Sequence, residues 1–183
     1  MLTEKEIRTY FNIDGDIHIN KNDVIYVNGD ADMIKYNDRI PFQFDEVTTE
    51  FSCSDRGLTS LVGSPSKVGT GFFCYGNKLT DLVGGPVTVG DNYSCFNNPL
   101  VSFKGAPDSV GGVFYASYSD NLPMLSLLKY NKIHIRVANV NVVTLAPISV
   151  ILNEYVGKRP LRQAIIQCQK ALIDAGYKEN ARL

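Results

Sequence analysis

The sequence predicts a β-rich repeat solenoid with a parallel sheet. Three observations carry this: a period of 21 residues, a Phe-x-Cys alternation opening each copy, and Pro and Gly punctuation too dense for a helix between copies. The clear copies span residues 51–71, 72–92 and 93–113. They align Phe51/Phe72/Tyr93, Cys53/Cys74/Cys95, Leu58/Leu79/Leu100, Leu61/Leu82/Phe103, Pro65/Pro86/Pro107 and Val68/Val89/Val110. Side chains two apart on a strand share a face, so Phe72 and Cys74 point inward and Phe73 and Tyr75 outward. One copy cannot bury its apolar edge alone, so successive copies stack with about 4.8 Å between rungs.

The elements follow in chain order. Residues 3–11 read as a short helix over the first rung, and Ile17/Ile19 and Ile25/Val27 as strands that start the sheet. Ala31, Met33, Ile40 and Val47 fit a shortened rung before the clear copies. After them, Phe114, Ala116, Leu122 and Leu125 fit a fourth rung, and Ile133, Ile135, Val140, Val143 and Pro147 repeat the same spacing once more. Residues 146–156 read as a helix. A second helix is marked by Leu161, Ile165, Cys168 and Leu172, between Pro160 at its first position and Gly176 as its C-cap. The whole is one domain: an N-terminal cap with first strands (1–30), a repeat solenoid (31–145) and a helical C-terminal cap (146–183).

A net charge of -1 and a pI near 6.1 supply no basic footprint for nucleic acid. The opening MLTEKEIRTY carries charges where a signal peptide needs an apolar run, and no segment has the length of a membrane span, so a cytosolic protein is expected. Three of the four cysteines are spaced by the repeat itself. A straight column at about 4.8 Å neither suits a disulfide nor surrounds zinc, so these are read as reduced core thiols, Cys168 among them.

The run Phe72-x-Cys74-x-x-Asn77-x-Leu79-x-x-Leu82 resembles the leucine-rich-repeat strand signature, in which an Asn after the strand satisfies backbone groups at the turn. Cys95, Asn98 and Leu100 match it, whereas Arg56 and the Ser119/Asp120 segment depart from asparagine. The chain is also similar, over nearly its whole length, to short repeat proteins of large tailed, T4-like bacteriophages. The matching segments are Asn12-Ile13-Asp14-Gly15, Pro41 to Val47, Gly63-Ser64-Pro65, Gly85-Pro86, Ala106-Pro107, and a final helix closing on Asn180-Ala181-Arg182-Leu183, with Leu183 where an aromatic is usual. The resemblance implies a leucine-rich-repeat-like stack, made inside an infected bacterium and acting in the host cytoplasm.

No catalytic constellation is legible. His18 and His134 fall several rungs apart, no Gly-rich loop opens a helix, and Asp14 and Asp16 around Gly15 read as a plain turn rather than a calcium loop. No cofactor, metal site or catalytic residue is therefore expected. Two outward columns remain: Asp32, Ser52, Phe73, Ser94, Tyr115, His134, and beside it Ile34, Ser54, Tyr75, Phe96, Ser117, Arg136. Four aromatics on a face that alternation makes solvent-facing suggest a protein-binding surface, with Phe73, Tyr75, Ser94, Phe96, Tyr115 and Ser117 at its centre, His134 and Arg136 at a polar rim, and Tyr118 widening it. The expected function is a non-catalytic module that binds a protein, a bacterial host protein if the phage resemblance holds. The alternatives are a self-assembling structural component and, third, an enzyme.

Overall fold

A computed structural model describes the backbone of residues 1–139 and 142–183, with side chains outside 138–144. Helix α1 (Glu4–Arg8) begins at a capping box, in which the Thr3 hydroxyl accepts from the Glu6 N–H and the Glu6 carboxylate accepts from the Thr3 N–H. Strands β1 (Phe11–Ile19) and β2 (Val24–Met33) then pair antiparallel. From β2 the chain winds as a parallel, leucine-rich-repeat-like β-solenoid, touching two ladders in each turn. One ladder runs through β3 (Gln43–Val47), β5 (Lys67–Val68), β7 (Thr88–Val89) and β9 (Ser109–Val110). The main ladder runs through β4 (Phe51–Ser52), β6 (Phe72–Phe73), β8 (Tyr93–Ser94), β10 (Phe114–Ser117) and β11 (Ile133–Asn139). Both start on β2, whose residues 24–27 pair with β3 and 31–32 with β4.

The predicted columns stack in register: Phe51 lies over Phe72, Phe72 over Tyr93, Tyr93 over Phe114 and Phe114 over Ile133. Their rings form a continuous pile inside the core. Centroids are 5.5, 5.3 and 5.1 Å apart from Phe51 to Phe114, then 4.7 Å to Tyr130, with planes tilted by no more than 12°. At the first end Phe11 and Phe44 meet edge-on, at 5.0 Å, and close the pile. The three repeat cysteines sit beside it, fully buried and free.

Two backbone devices set how closely the turns approach. At Gly69, Gly90 and Gly111, 21 residues apart, a Cβ would come within 1.8, 1.9 and 2.1 Å of the carbonyl oxygens of Thr48, Gly69 and Gly90, so each turn rests on the one before with no room for a side chain. The second is an asparagine ladder. Asn77 Oδ1 accepts from Arg56 N and Leu58 N, both at 3.0 Å, while its Nδ2 donates to Cys53 O at 2.9 Å and Cys74 O at 3.0 Å. Asn98 repeats this on Leu79 N, Cys74 O and Cys95 O. One turn earlier Arg56 takes the asparagine's place, its Nε donating to Met33 O.

The last rung departs from the spacing read in the sequence. Ile133 and Ile135 occupy the predicted inward positions, but Val142–Leu145 forms β12, which turns back antiparallel on β11, and Pro147 opens helix α2 (Pro147–Tyr155) instead of a rung's return path. Val140 and the side chain of Val143 lie outside the described residues. The switch covers the sheet edge. Beyond the reach of β12, α2 lends polar groups to β11: Asn153 Oδ1 accepts from Ile133 N and Ser149 Oγ from Ile135 N. Helix α3 (Leu161–Asp174) buries Ala164, Cys168 and Leu172, with Leu161 and Ile165 half-buried, and Pro160 is its N-cap rather than its first residue. It ends in a Schellman motif, with Tyr177 N donating to Leu172 O and Gly176 N to Ile173 O. The tail then returns to the fourth rung, where the buried Asn180 donates to Ser119 O and Leu122 O, both at 2.9 Å. Where the ladder lacks its own asparagine, one arrives from about sixty residues away.

Candidate binding face

The outward face of the main ladder carries a trough. Each rung contributes through the same alternation that buries the rings and thiols: Phe72 and Cys74 are fully buried, so Phe73 and Tyr75 emerge on the far side, and the next two rungs add Phe96 and Tyr115. Phe73, Tyr75, Phe96 and Tyr115, with Asn92, Ser94 and Arg136, line an open recess of about 390 Å³. Tyr75 is 39 % exposed and the other three rings are half-buried. Arg136 lies over two of them, its guanidinium carbon 4.6 Å from the Tyr115 centroid and 5.8 Å from that of Phe96, which holds the cation in place by attraction to the ring faces.

Six of the eight residues singled out in the sequence thus converge: Phe73, Tyr75, Ser94, Phe96, Tyr115 and Arg136. Arg136 is part of the lining and not of an outer rim. Ser94, read as an accessible polar contact, is only 8 % exposed and forms the floor between the rings. Ser54 is buried as well, and its hydroxyl has no partner. Ser117 turns to the loop of the preceding rung, where its hydroxyl accepts from Asn97 N at 2.7 Å. His134 stands edge-on to Tyr115 at 5.2 Å; partial burial and the neighbouring Lys132 and Arg136 charges lower its pKa and favour the neutral ring. Tyr118 does not widen the trough. It packs against Tyr177 of the C-terminal cap at 6.2 Å, and burial, together with the neighbouring Asp120 carboxylate, pushes its hydroxyl up to about 12.

A second recess on the same face escaped the sequence reading. Asp14, Asp30, Asp32 and Glu50, with Asn12 and Ser52, surround a space of about 340 Å³. Asp14-Gly15-Asp16 is not the expected turn but the middle of β1, with Gly15 opposite Gly29 where a Cβ on either would strike the facing carbonyl. Pairing Asp14 with Asp30 and Asn12 with Asp32 gathers carboxylates that lie far apart in sequence. The signal was available in the alternation of Asp30 and Asp32 with the buried Ala31 and Met33. Burial, then Asp30 and Asp32, raise the Glu50 pKa. Among the described residues no three His, Cys, Asp or Glu side chains are placed to hold a metal ion.

The trough offers aromatic contact surface and one guanidinium. His18 in β1 and His134 in β11 occupy strands at opposite ends of the main ladder. Burial pushes the thiols of Cys74 and Cys168 up to about 12 and those of Cys53 and Cys95 well above their ordinary value, which removes the thiolate a nucleophile needs. All four should therefore stay unmodified by an aromatic disulfide reagent in the native state and react only on unfolding in urea. A stoichiometric burst with the folded protein would contradict the burial of at least one. No described helix is long and apolar enough to cross a membrane. Comparison with protein families, with curated proteins and with solved structures gives no match.

Proposed function

We propose that this chain is a non-catalytic binding module that docks another protein on the outward face of its main ladder. The observation that carries this reading is the trough itself: four aromatic side chains and a cation held between two of them, on a face where alternation needs only small polar residues. Rings of this kind give large contact area at low entropic cost, and β12 and α2 already cover the edge of β11 beside them. The resemblance of the repeats to those of tailed-phage proteins supplies the context. The protein acts in the cytoplasm of an infected bacterium, and its target is a host protein that it inhibits or redirects.

The test is affinity capture from bacterial lysate with the native chain and with the Tyr75→Ala/Phe96→Ala variant, followed by titration of the captured protein. Both rings point away from the core, so the variant should keep its unfolding midpoint yet bind about 3 kcal/mol more weakly, roughly 150-fold in Kd. An unchanged Kd moves the site elsewhere. Light scattering over a concentration series covers the remaining route, pairing of two copies through this face, which would appear as a dimer lost in the same variant.

A further inference from the structure

The outward face changes charge from one end to the other. At the β1–β2–β4 end the acidic recess adjoins the aromatic one. Glu50 and Phe73 meet over Gly71, where a Cβ would lie 2.7 Å from the Phe73 ring and 3.7 Å from Glu50 Oε2. At the β10–β11 end stands Arg136, with Lys132 close by, in a stretch from 121 to 153 that holds no Asp or Glu. The ion pairs among the described residues, Arg8 with Glu4, Lys67 with Glu46 and Arg182 with Glu179, use none of these groups. Among the described residues, then, neither end carries an ion pair of its own.

Resting on the binding reading above, we propose that the trough takes one extended polypeptide segment of about seven residues, with a cationic side chain over Asp32 and Glu50, apolar side chains over the four rings, and a carboxylate at Arg136. Length and width set the occupant. From Asp32 the face passes through Ser52, Phe73, Ser94 and Tyr115 to His134. These five steps of ~4.8 Å make about 24 Å, the span of roughly seven residues at ~3.4 Å each. Across the face, outward side chains two apart, such as Phe73 and Tyr75, stand only about 7 Å from one another, which suits one extended chain better than a helix about 10–12 Å wide. Opposite charges at the two ends then fix the direction in which the segment lies, since reversal sets like charge against like at both.

Fluorescein-labelled heptapeptides, titrated against the full chain by fluorescence anisotropy, test this. The probes are Lys-Thr-Phe-Thr-Phe-Thr-Glu with blocked termini, the same peptide in reverse order, and versions whose end residues are both Ser, both Lys or both Glu. One of the two mixed-charge orders should bind at least tenfold tighter than its reverse and than every other peptide. That preference should vanish in Arg136→Glu and, separately, in Asp32→Lys, whose melting curves show whether each remains folded. Raising the salt from 50 to 500 mM should erase the advantage as well. If all the peptides bind alike and Tyr75→Ala/Phe96→Ala abolishes their binding, the charge-ordered segment is wrong while the binding face stands. If none binds, the peptide inference falls, and lysate capture judges the face independently.

Discussion

Replacing Asn77 by alanine should destabilise the fold by about 4 kcal/mol, because the N–H groups of Arg56 and Leu58 and the Cys53 carbonyl lose their partner at once, while the Cys74 carbonyl keeps only Asn98. The N–H groups of Arg56 and Leu58 and the carbonyls of Cys53 and Cys74 meet on one side chain that is only 7 % exposed. Alanine fills part of the space and satisfies none of them. Each orphaned group costs about 1–3 kcal/mol, and local relaxation with entry of water recovers some of that sum. Urea denaturation reads the effect as a lower midpoint with an unchanged slope. A loss below about 1 kcal/mol would mean that solvent replaces the amide freely and that the turn does not depend on the ladder.

Phe72→Ala should cost a similar amount, about 3–5 kcal/mol, by a different route. Its ring is fully buried between Phe51 and Tyr93, so truncation opens a cavity in the middle of the pile, and the close backbone contacts at Gly69 and Gly90 restrain the turns from collapsing into it. Tyr93→Phe is the matched control. It keeps the ring and removes only a hydroxyl whose partner is the Cys74 sulfur at 3.9 Å, so stability should change by less than about 1 kcal/mol. A loss in Tyr93→Phe as large as that in Phe72→Ala would show that the buried hydroxyl supports the column as much as ring packing does.

The main ladder was legible because its columns are periodic and chemically narrow: ring, thiol, leucine, at fixed separations. The β5–β7–β9 ladder was not legible as a ladder, although its valines were aligned, because each copy there carries a single inward residue, Val68, Val89 or Val110, followed at once by glycine, where the main ladder has an inward ring and thiol two apart. Val143 and Pro147 show the opposite failure. They match the period by spacing, yet β12 and α2 place them on a returning strand and a helix, because the last rung has no successor and its edge must be covered. The aromatic face followed from alternation alone, and five of its six central residues follow the expected outward direction into the trough or its floor, Ser117 excepted. The acidic recess did not follow, since it forms only once β1 lies against β2. Nor did the closure by Asn180, a contact across 58 residues for which no local pattern exists.

The glycine collar at positions 69, 90 and 111 makes the turns interchangeable, each seated on its neighbour by the same backbone contact. A chain built this way can lengthen or shorten by duplicating or losing one 21-residue unit, because the incoming copy presents to both neighbours the surfaces they already fit. Every such event moves the two poles of the face apart or together by a single increment of about 4.8 Å. The architecture thus behaves as a ruler with fixed gradations, on which descent could retune reach without redesigning any contact.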